Sequence, residues 1–184
     1  PDFDFWFIKS LRKKAVELLD LKPGDRVLDA GCGSGGSFPY LFHSVGPSGE
    51  VVGVEISPRT VVNTRKRIEK NIWQNVTAIE ANAQTVKLNG KFNGLLMFAA
   101  PDVFASEKAL SNILPYLSEN ARVVFFGAKV SDRRFGWLLN GLLRLAINRL
   151  SFKTTPKLER EPWMIIEKSL VKIEVIEYFF GWMF

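Results

Sequence analysis

Apolar residues along this chain fall into two alternating patterns. Short apolar-centred runs at 26–29, 51–55, 76–80, 95–98 and 121–127 are too short for buried helices. They are rich in β-branched and aromatic residues and read as strands. The stretches between them are longer and amphipathic. The first, over 3–19, has Trp6, Leu11, Val16 and Leu19 as apolar anchors, and Lys22-Pro23-Gly24-Asp25 ends it. A second helix is predicted over 37–45, closed by the turn Gly46-Pro47-Ser48-Gly49. The third has Ser57 as its cap and Pro58 at its first position, and it runs to about Asn71 with Arg65, Lys66, Arg67 and Lys70 on its wet side. The fourth is capped by Ser106 and ends near Leu117. Strands alternating with helices at this spacing predict an α/β fold, a doubly wound and mostly parallel sheet with helices on both faces.

After the fifth strand the pattern changes. A long apolar and basic helix is predicted over 135–150 and another over 162–170. Residues 171–178 alternate like a strand, and 180–184 can return antiparallel beside it as a short C-terminal β-hairpin. The last strand is short, so either the chain is clipped there or pairing stops early. Pro1 in place of Met fits removal of an initiator methionine. There is no internal repeat and no low-complexity linker, so residues 1–184 read as one domain.

Composition narrows the function classes. At 184 residues the chain can bury one sizeable core. No apolar run reaches the roughly 18 residues of a spanning helix, and the start lacks the apolar stretch and small-residue cleavage site of a signal peptide. Cys32 is the one cysteine and His43 the one histidine. An intramolecular disulfide is therefore excluded, and a zinc site or a histidine-dependent hydrolase is not expected. These features suit a cytoplasmic protein without a metal.

Candidate chemistry gathers after the first strand, in Asp29-Ala30-Gly31-Cys32-Gly33-Ser34-Gly35-Gly36. Glycines accept φ > 0 and let the backbone press against a ligand. The free N–H groups of the following helix face the same spot. A glycine turn between strand and helix is how open α/β sheets build nucleotide sites, although glycines can also serve a tight turn alone. Gly31, Gly33 and Gly36 satisfy the dinucleotide pattern G-x-G-x-x-G. Asp29 argues for a cationic ligand, because a carboxylate beside the turn repels a pyrophosphate.

The string from Asp29 to Gly35 resembles motif I of the class I S-adenosylmethionine-dependent methyltransferases, D/E-x-G-x-G-x-G, with Asp29, Gly31, Gly33 and Gly35 at its marked positions. The resemblance implies S-adenosyl-L-methionine as cofactor and a seven-stranded sheet whose last strand is inserted antiparallel. It divides the chain into an N-terminal helix (1–20), a cofactor-binding core (21–130), a helical substrate-side or lid segment (131–170) and terminal strands (171–184). It implies that Glu55 accepts hydrogen bonds from both ribose hydroxyls, a role that dinucleotide enzymes also require, and that Ile56 lies against the adenine. Cys32 then fits beside the cofactor as a small residue. In Ala81-Asn82-Ala83, Asn82 takes the place of the family's adenine-binding Asp. Its carbonyl still accepts the amino group, through a neutral bond weaker by ~1 kcal/mol; a turn asparagine bonding its own backbone is the other reading. The segment 92–102 resembles the fourth strand and its loop, with Asn93 for the common Asp and with Phe98 and Asp102 in the loop that faces the methyl group. Asp102 is the candidate base or acceptor-orienting group, or else it rigidifies its loop. His43 reads as a surface residue.

The acceptor must be inferred from the tail. From 129 to 157 seven basic residues, Arg144 and Arg149 among them, face a single acid, Asp132, and leucines are interleaved with them. A basic helix with a wide apolar face lies in a membrane interface, binds an amphiphile, covers a pocket as a lid, or packs on the sheet with solvated arginines. Trp137 and Trp163 would supply flat apolar walls. The net charge of +6 invites nucleic acid, but no Asn/Asp-Pro-Pro-Tyr/Phe motif and no RNA-binding module accompany it. The reading is methyl transfer to a small or lipid-like acceptor at nitrogen or oxygen, with peripheral membrane contact through 133–150. Two alternatives stand beside it: an NAD(P)-binding oxidoreductase on the same glycines and Glu55, and a catalytically silent binding module.

Overall fold

The computed structural model describes residues 6–127, together with 164, 170, 174–177 and 183–184. Among them, β1 (Arg26–Ala30), β2 (Glu50–Glu55), β3 (Val76–Glu80), β4 (Phe92–Phe98) and β5 (Leu117–Phe126) form one sheet. The order is β3-β2-β1-β4-β5 and every neighbouring pair is parallel. The helices are α1 (Trp6–Leu18), α2 (Phe38–Val45), α3 (Pro58–Lys70), α4 (Pro101–Phe104) and α5 (Glu107–Ile113).

Both faces of the sheet are covered. On one, Val27, Val51, Leu96 and Phe98 meet Ala15, Val16 and Leu19 at the end of α1 and Phe38 and Leu41 of α2. On the other, Leu28, Val52, Leu95 and Met97 meet Phe104, Leu110 and Ile113 from α4 and α5. Burial from both sides is why these strands are apolar almost without interruption. Two of the helix starts, those of α3 and α5, are side-chain capped: Ser57 Oγ accepts the Thr60 N–H at 3.4 Å, and Ser106 Oγ accepts the Ala109 N–H at 3.2 Å.

Several boundaries differ from the predicted ones. α5 stops at Ile113, and Leu114–Tyr116 form a turn of 3-10 helix, because Pro115 has no N–H with which to continue the ladder. β4 begins at Phe92 and β5 at Leu117. These two residues pair across a register shift that absorbs the polar Ser118-Glu119-Asn120. Residues 174–177, predicted as strand, are exposed and carry no strand. Phe184 nevertheless exchanges both backbone hydrogen bonds with Gly127, at 3.1 and 3.2 Å, the reciprocal pattern of an antiparallel pair. The helix over 135–150, the tryptophans 137 and 163 and most of the terminal hairpin lie outside the described residues. So does the side chain of Trp6.

The strand order has one consequence for function. From β1 the chain moves outward through β2 to β3, and from β4 it moves the other way to β5. The loops that leave β1 and β4 therefore flank a crevice at the carboxyl end of the sheet, the position where open α/β sheets bind ligands.

Candidate functional site

The turn after β1 is built for close approach. Gly31 has φ of +79°, and a Cβ there would sit 2.5 Å from the Ala100 Cβ, so only glycine lets the loop after β4 pack on the turn. Gly33 has φ of +53° and a Cβ there would meet nothing within 4 Å. Gly33 thus presents bare backbone to open space. Glu55, at the tip of β2, accepts the Gly33 N–H at 3.1 Å and the Ser57 N–H at 2.8 Å, one on each carboxylate oxygen. Each oxygen keeps a further lone pair.

Two residues of α3 brace the same turn from behind. The buried Thr64 donates its hydroxyl to the Gly33 carbonyl (2.7 Å) or to that of Thr60 (2.9 Å). Arg67 Nη1 donates to the Ser34 carbonyl at 3.2 Å. Sequence pattern placed Arg65 and Arg67 on a solvated face. Arg65 is indeed exposed and Arg67 half-buried, and both also bond across elements: Arg65 donates twice to the Ala78 carbonyl and Arg67 holds the turn. A guanidinium reaches a carbonyl on a neighbouring element, which helical periodicity does not encode.

Asp29 is the outlier of the site. It is 1% exposed, and neither carboxylate oxygen accepts a hydrogen bond. Burial pushes its carboxyl up to about 7. The Arg12 guanidinium and the Ser37 hydroxyl pull it back down, and the Glu55 charge adds to the rise. The Ser37 hydroxyl acts on Asp29 without hydrogen-bonding either of its oxygens. Arg12 itself reaches in from α1. Its Nη1 donates to Ser37 Oγ at 3.1 Å, and its Cζ lies 4.3 Å from the centre of the Phe98 ring. Sequence reasoning did not single out Arg12, Thr64 or Arg67. Only the packing of α1 and α3 against the turn brings them there.

The remaining candidates separate into two groups. Asp29, Gly31, Gly33, Gly35 and Glu55 meet at the turn. Ile56 follows Glu55 with 62% of its surface exposed, an apolar face at the strand tip. Asn82 is exposed at the end of β3 and its Oδ1 accepts the Gln84 N–H at 2.9 Å, so the turn-forming role is realised and one lone pair remains. Cys32, Ala83 and Phe98 put their side chains in the core instead. Cys32 Sγ lies 2.7 Å from where a Gly53 Cβ would be, and burial, with the charges of Asp29 and Glu55, pushes its thiol up. That leaves Cys32 no nucleophilic character. Phe98 stacks on Phe126 with ring centres 4.6 Å apart. Asp102 stands exposed in the first turn of α4. His43 is in the last turn of α2.

Among the described residues no cluster of His, Cys, Asp and Glu is placed to hold a metal ion, and no helix is long and apolar enough to cross a membrane. A cavity of about 240 Å³ lies between α1 and β5, lined by Leu11, Leu18, Val124 and Phe126 among others. It includes no residue of the glycine turn. The turn, with its bare backbone and two acids, is the better candidate on chemical grounds.

A family described as a methyltransferase domain matches residues 21–132. The chain belongs to that family. The match spans β1 to β5 and both acids of the turn. The 2-phytyl-1,4-naphtoquinone methyltransferase of Nostoc sp. is 26% identical, over 88% of this chain and 75% of its own length. The chain spans about half the length of several other curated relatives it matches. In fold it is similar to a SAM-dependent methyltransferase from Aquifex aeolicus, with TM-score 0.67, 18% identity and coverage of 94% of this chain and 85% of that one. It is also similar to a geranyl diphosphate methyltransferase in complex with SAM, with TM-score 0.69, 16% identity and coverage of 87% and 63%. The fold is that of the class I enzymes, whose cofactor is S-adenosylmethionine. The site residues fit such a cofactor: an orphaned buried carboxylate suits a cationic group, and the open face of Gly33 admits a ligand against the backbone.

Proposed function

We propose that this methyltransferase uses S-adenosylmethionine to methylate a small-molecule or lipid-like acceptor at nitrogen or oxygen. The observation that carries the cofactor half is Asp29, a buried carboxylate without a hydrogen-bond partner beside a glycine turn open to ligand. Such a group is costly unless a cation meets it. A pyrophosphate would raise that cost, which sets the NAD(P) reading aside.

When bound, the cofactor supplies a methyl group already activated on a sulfonium, so the protein's task is chiefly positional. Glu55 would hold the ribose hydroxyls with its remaining lone pairs, Ile56 would cover the adenine, and Asn82 would accept from its amino group. Asp102, in the loop after β4, would orient the acceptor or take its proton. The one histidine stands in the last turn of α2, the helix that leads away from the glycine turn. Acceptors that carry a nucleophilic pair near neutral pH, such as amines or acidic hydroxyls, therefore suit the site best.

The acceptor class rests on two supports. The Nostoc relative is named for a ring bearing an apolar phytyl chain. Residues 133–150 combine arginines with a run of leucines, which suits an amphiphile and a membrane surface. The terminal antiparallel hairpin belongs to the same proposal, supported by the Gly127–Phe184 pair. Calorimetry should show binding of S-adenosylhomocysteine and none of NAD. Mass spectrometry of lipid and small-molecule extracts incubated with methyl-labelled cofactor should then show an acceptor heavier by one methyl group. Label transferred to RNA and to no extract component would overturn the acceptor class.

A further inference from the structure

We propose that Asn112 of α5 is a positioning residue: by holding the turn 82–86 after β3 in place, it sets the selectivity of the site between purine bases. The inference rests on the reading of Asn82 given above, and it extends that reading to a side chain on a separate element.

After β3 the chain makes one tight turn. The Thr85 and Val86 N–H groups both donate to the Asn82 carbonyl, at 3.0 and 2.9 Å. Asn82 Oδ1 accepts the Gln84 N–H at 2.9 Å. The Asn82 side chain is therefore built into the turn, and its remaining lone pair moves wherever the turn moves. This leaves the carbonyls of Ala83 and Val86, on residues 8% and 4% exposed. Asn112 Nδ2 donates to both, at 3.0 and 2.9 Å. Among the described residues no other group donates to either carbonyl. An amide NH₂ has two protons, and both are spent on this turn.

The surroundings of Asn112 are those of a core residue. Ala109 and Ile113 of the same helix are 0% exposed and belong to the apolar cluster on that face of the sheet. An amide in such a place is tolerated because it is bonded. An apolar side chain would serve the packing of α5 equally well, so what the amide adds is the attachment of the turn. A weaker contact repeats the pattern at the start of the helix, where Gln84 Nε2 lies 3.5 Å from Ser106 Oγ. α5 thus meets the turn at both of its ends.

The chemistry of the ligand supplies the readout. The 6-amino group of adenine is a donor, and the 6-oxo group of hypoxanthine at the same place is an acceptor. An asparagine oxygen held in position accepts from the first and repels the second. A turn that drifts discriminates between them poorly, because hydrogen bonds weaken steeply with misalignment.

The test compares S-adenosylhomocysteine with S-inosylhomocysteine, which has hypoxanthine in place of adenine. Both affinities are measured by calorimetry for the intact chain and its variants. The intact chain should prefer the adenine ligand by at least about tenfold. Asn112→Ala should bring that preference within about twofold. Asn112→Ser keeps one donor and should fall between the two, and it decides the matter where Asn112→Ala does not fold. Arg26→Met removes the ion pair with Glu50 at the start of β1 and should keep the full preference, which separates positioning from lost stability. A preference that survives in Asn112→Ala would reduce Asn112 to scaffold and overturn the proposal, as would one lost equally in Arg26→Met. An intact chain that binds both ligands alike would overturn the Asn82 reading and this role with it. One that binds neither would overturn the cofactor reading as well.

Discussion

The two ends of β1 treat charge in opposite ways. At the amino end, Arg26 is satisfied on every side. It pairs with Glu50, donates to the carbonyls of Asn89 and Lys91, lies over the Phe92 ring at 4.7 Å, and its backbone N–H is accepted by Asn93. At the carboxyl end, three residues along the same strand, Asp29 is buried deeper and no hydrogen bond reaches its carboxylate. A charge whose partners are all in the protein stabilises the fold. A buried charge without partners weakens the fold and is explained by a ligand. The amino end is scaffold and the carboxyl end is site.

Asp29→Asn should break this contrast most strongly. At pH 8 the substitution removes an uncompensated buried charge, and the ligand-free protein should gain roughly 2–4 kcal/mol, since its carboxyl is held near 7 against an ordinary 3.8. A urea midpoint moving upward checks this. Affinity for S-adenosylhomocysteine should fall at least about tenfold in the same variant, through loss of the charge that meets the ligand's ammonium. A midpoint that stays or drops would mean that Asp29 is already neutralised at pH 8.

The pH dependence sharpens the same point. The folded carboxyl binds its proton more tightly than the unfolded one. Ligand-free stability should therefore be greatest below about 4, decline as pH rises towards 7, and level off above it. Arg12, Ser37 and Glu55 are the groups whose influence reaches Asp29 from α1, α2 and β2, and the arginine keeps its charge throughout. Cofactor affinity should follow the opposite course, rising by up to about tenfold per pH unit until 7, because binding favours the ionised carboxylate. Calorimetry in buffers of different ionisation enthalpy should detect the released proton at pH 6. A flat affinity profile from 5 to 8 would remove Asp29 from the binding equilibrium.

Arg26→Met probes the scaffold end. Losing its hydrogen bonds and its contact with the Phe92 ring should cost about 1–2 kcal/mol of stability, with cofactor affinity unchanged. A matching loss of affinity would show the two ends to be coupled. Gly33→Ala should have the smallest effect on stability, about 1 kcal/mol for a side chain at φ of +53°. Its methyl enters the open face of the turn, so calorimetry should still show a clear loss of cofactor binding. Normal binding would place the ligand elsewhere.

Local pattern was enough for much of this architecture. The helix caps Ser57 and Ser106, the strand over 76–80 and the acid at the tip of β2 follow from spacing and residue chemistry, because each depends on neighbours within one turn or one strand. The start of β5 was not legible, since Ser118-Glu119-Asn120 enter the sheet only through the pairing of Leu117 with Phe92. Cys32 looked like a residue beside the ligand, and packing with Phe38 and Gly53 drew its thiol into the core.

The sequence by itself determined the parallel sheet, the glycine turn and the two acids beside it, for these are written in alternation, in backbone freedom and in charge at fixed offsets. Tertiary structure alone decided that Asp29 loses its water, that Arg12 crosses from α1 to Ser37, and that Thr64 and Arg67 hold the turn from behind. The physical reason is that desolvation and long-range contact belong to the way elements pack on one another, and one-dimensional pattern carries no record of that.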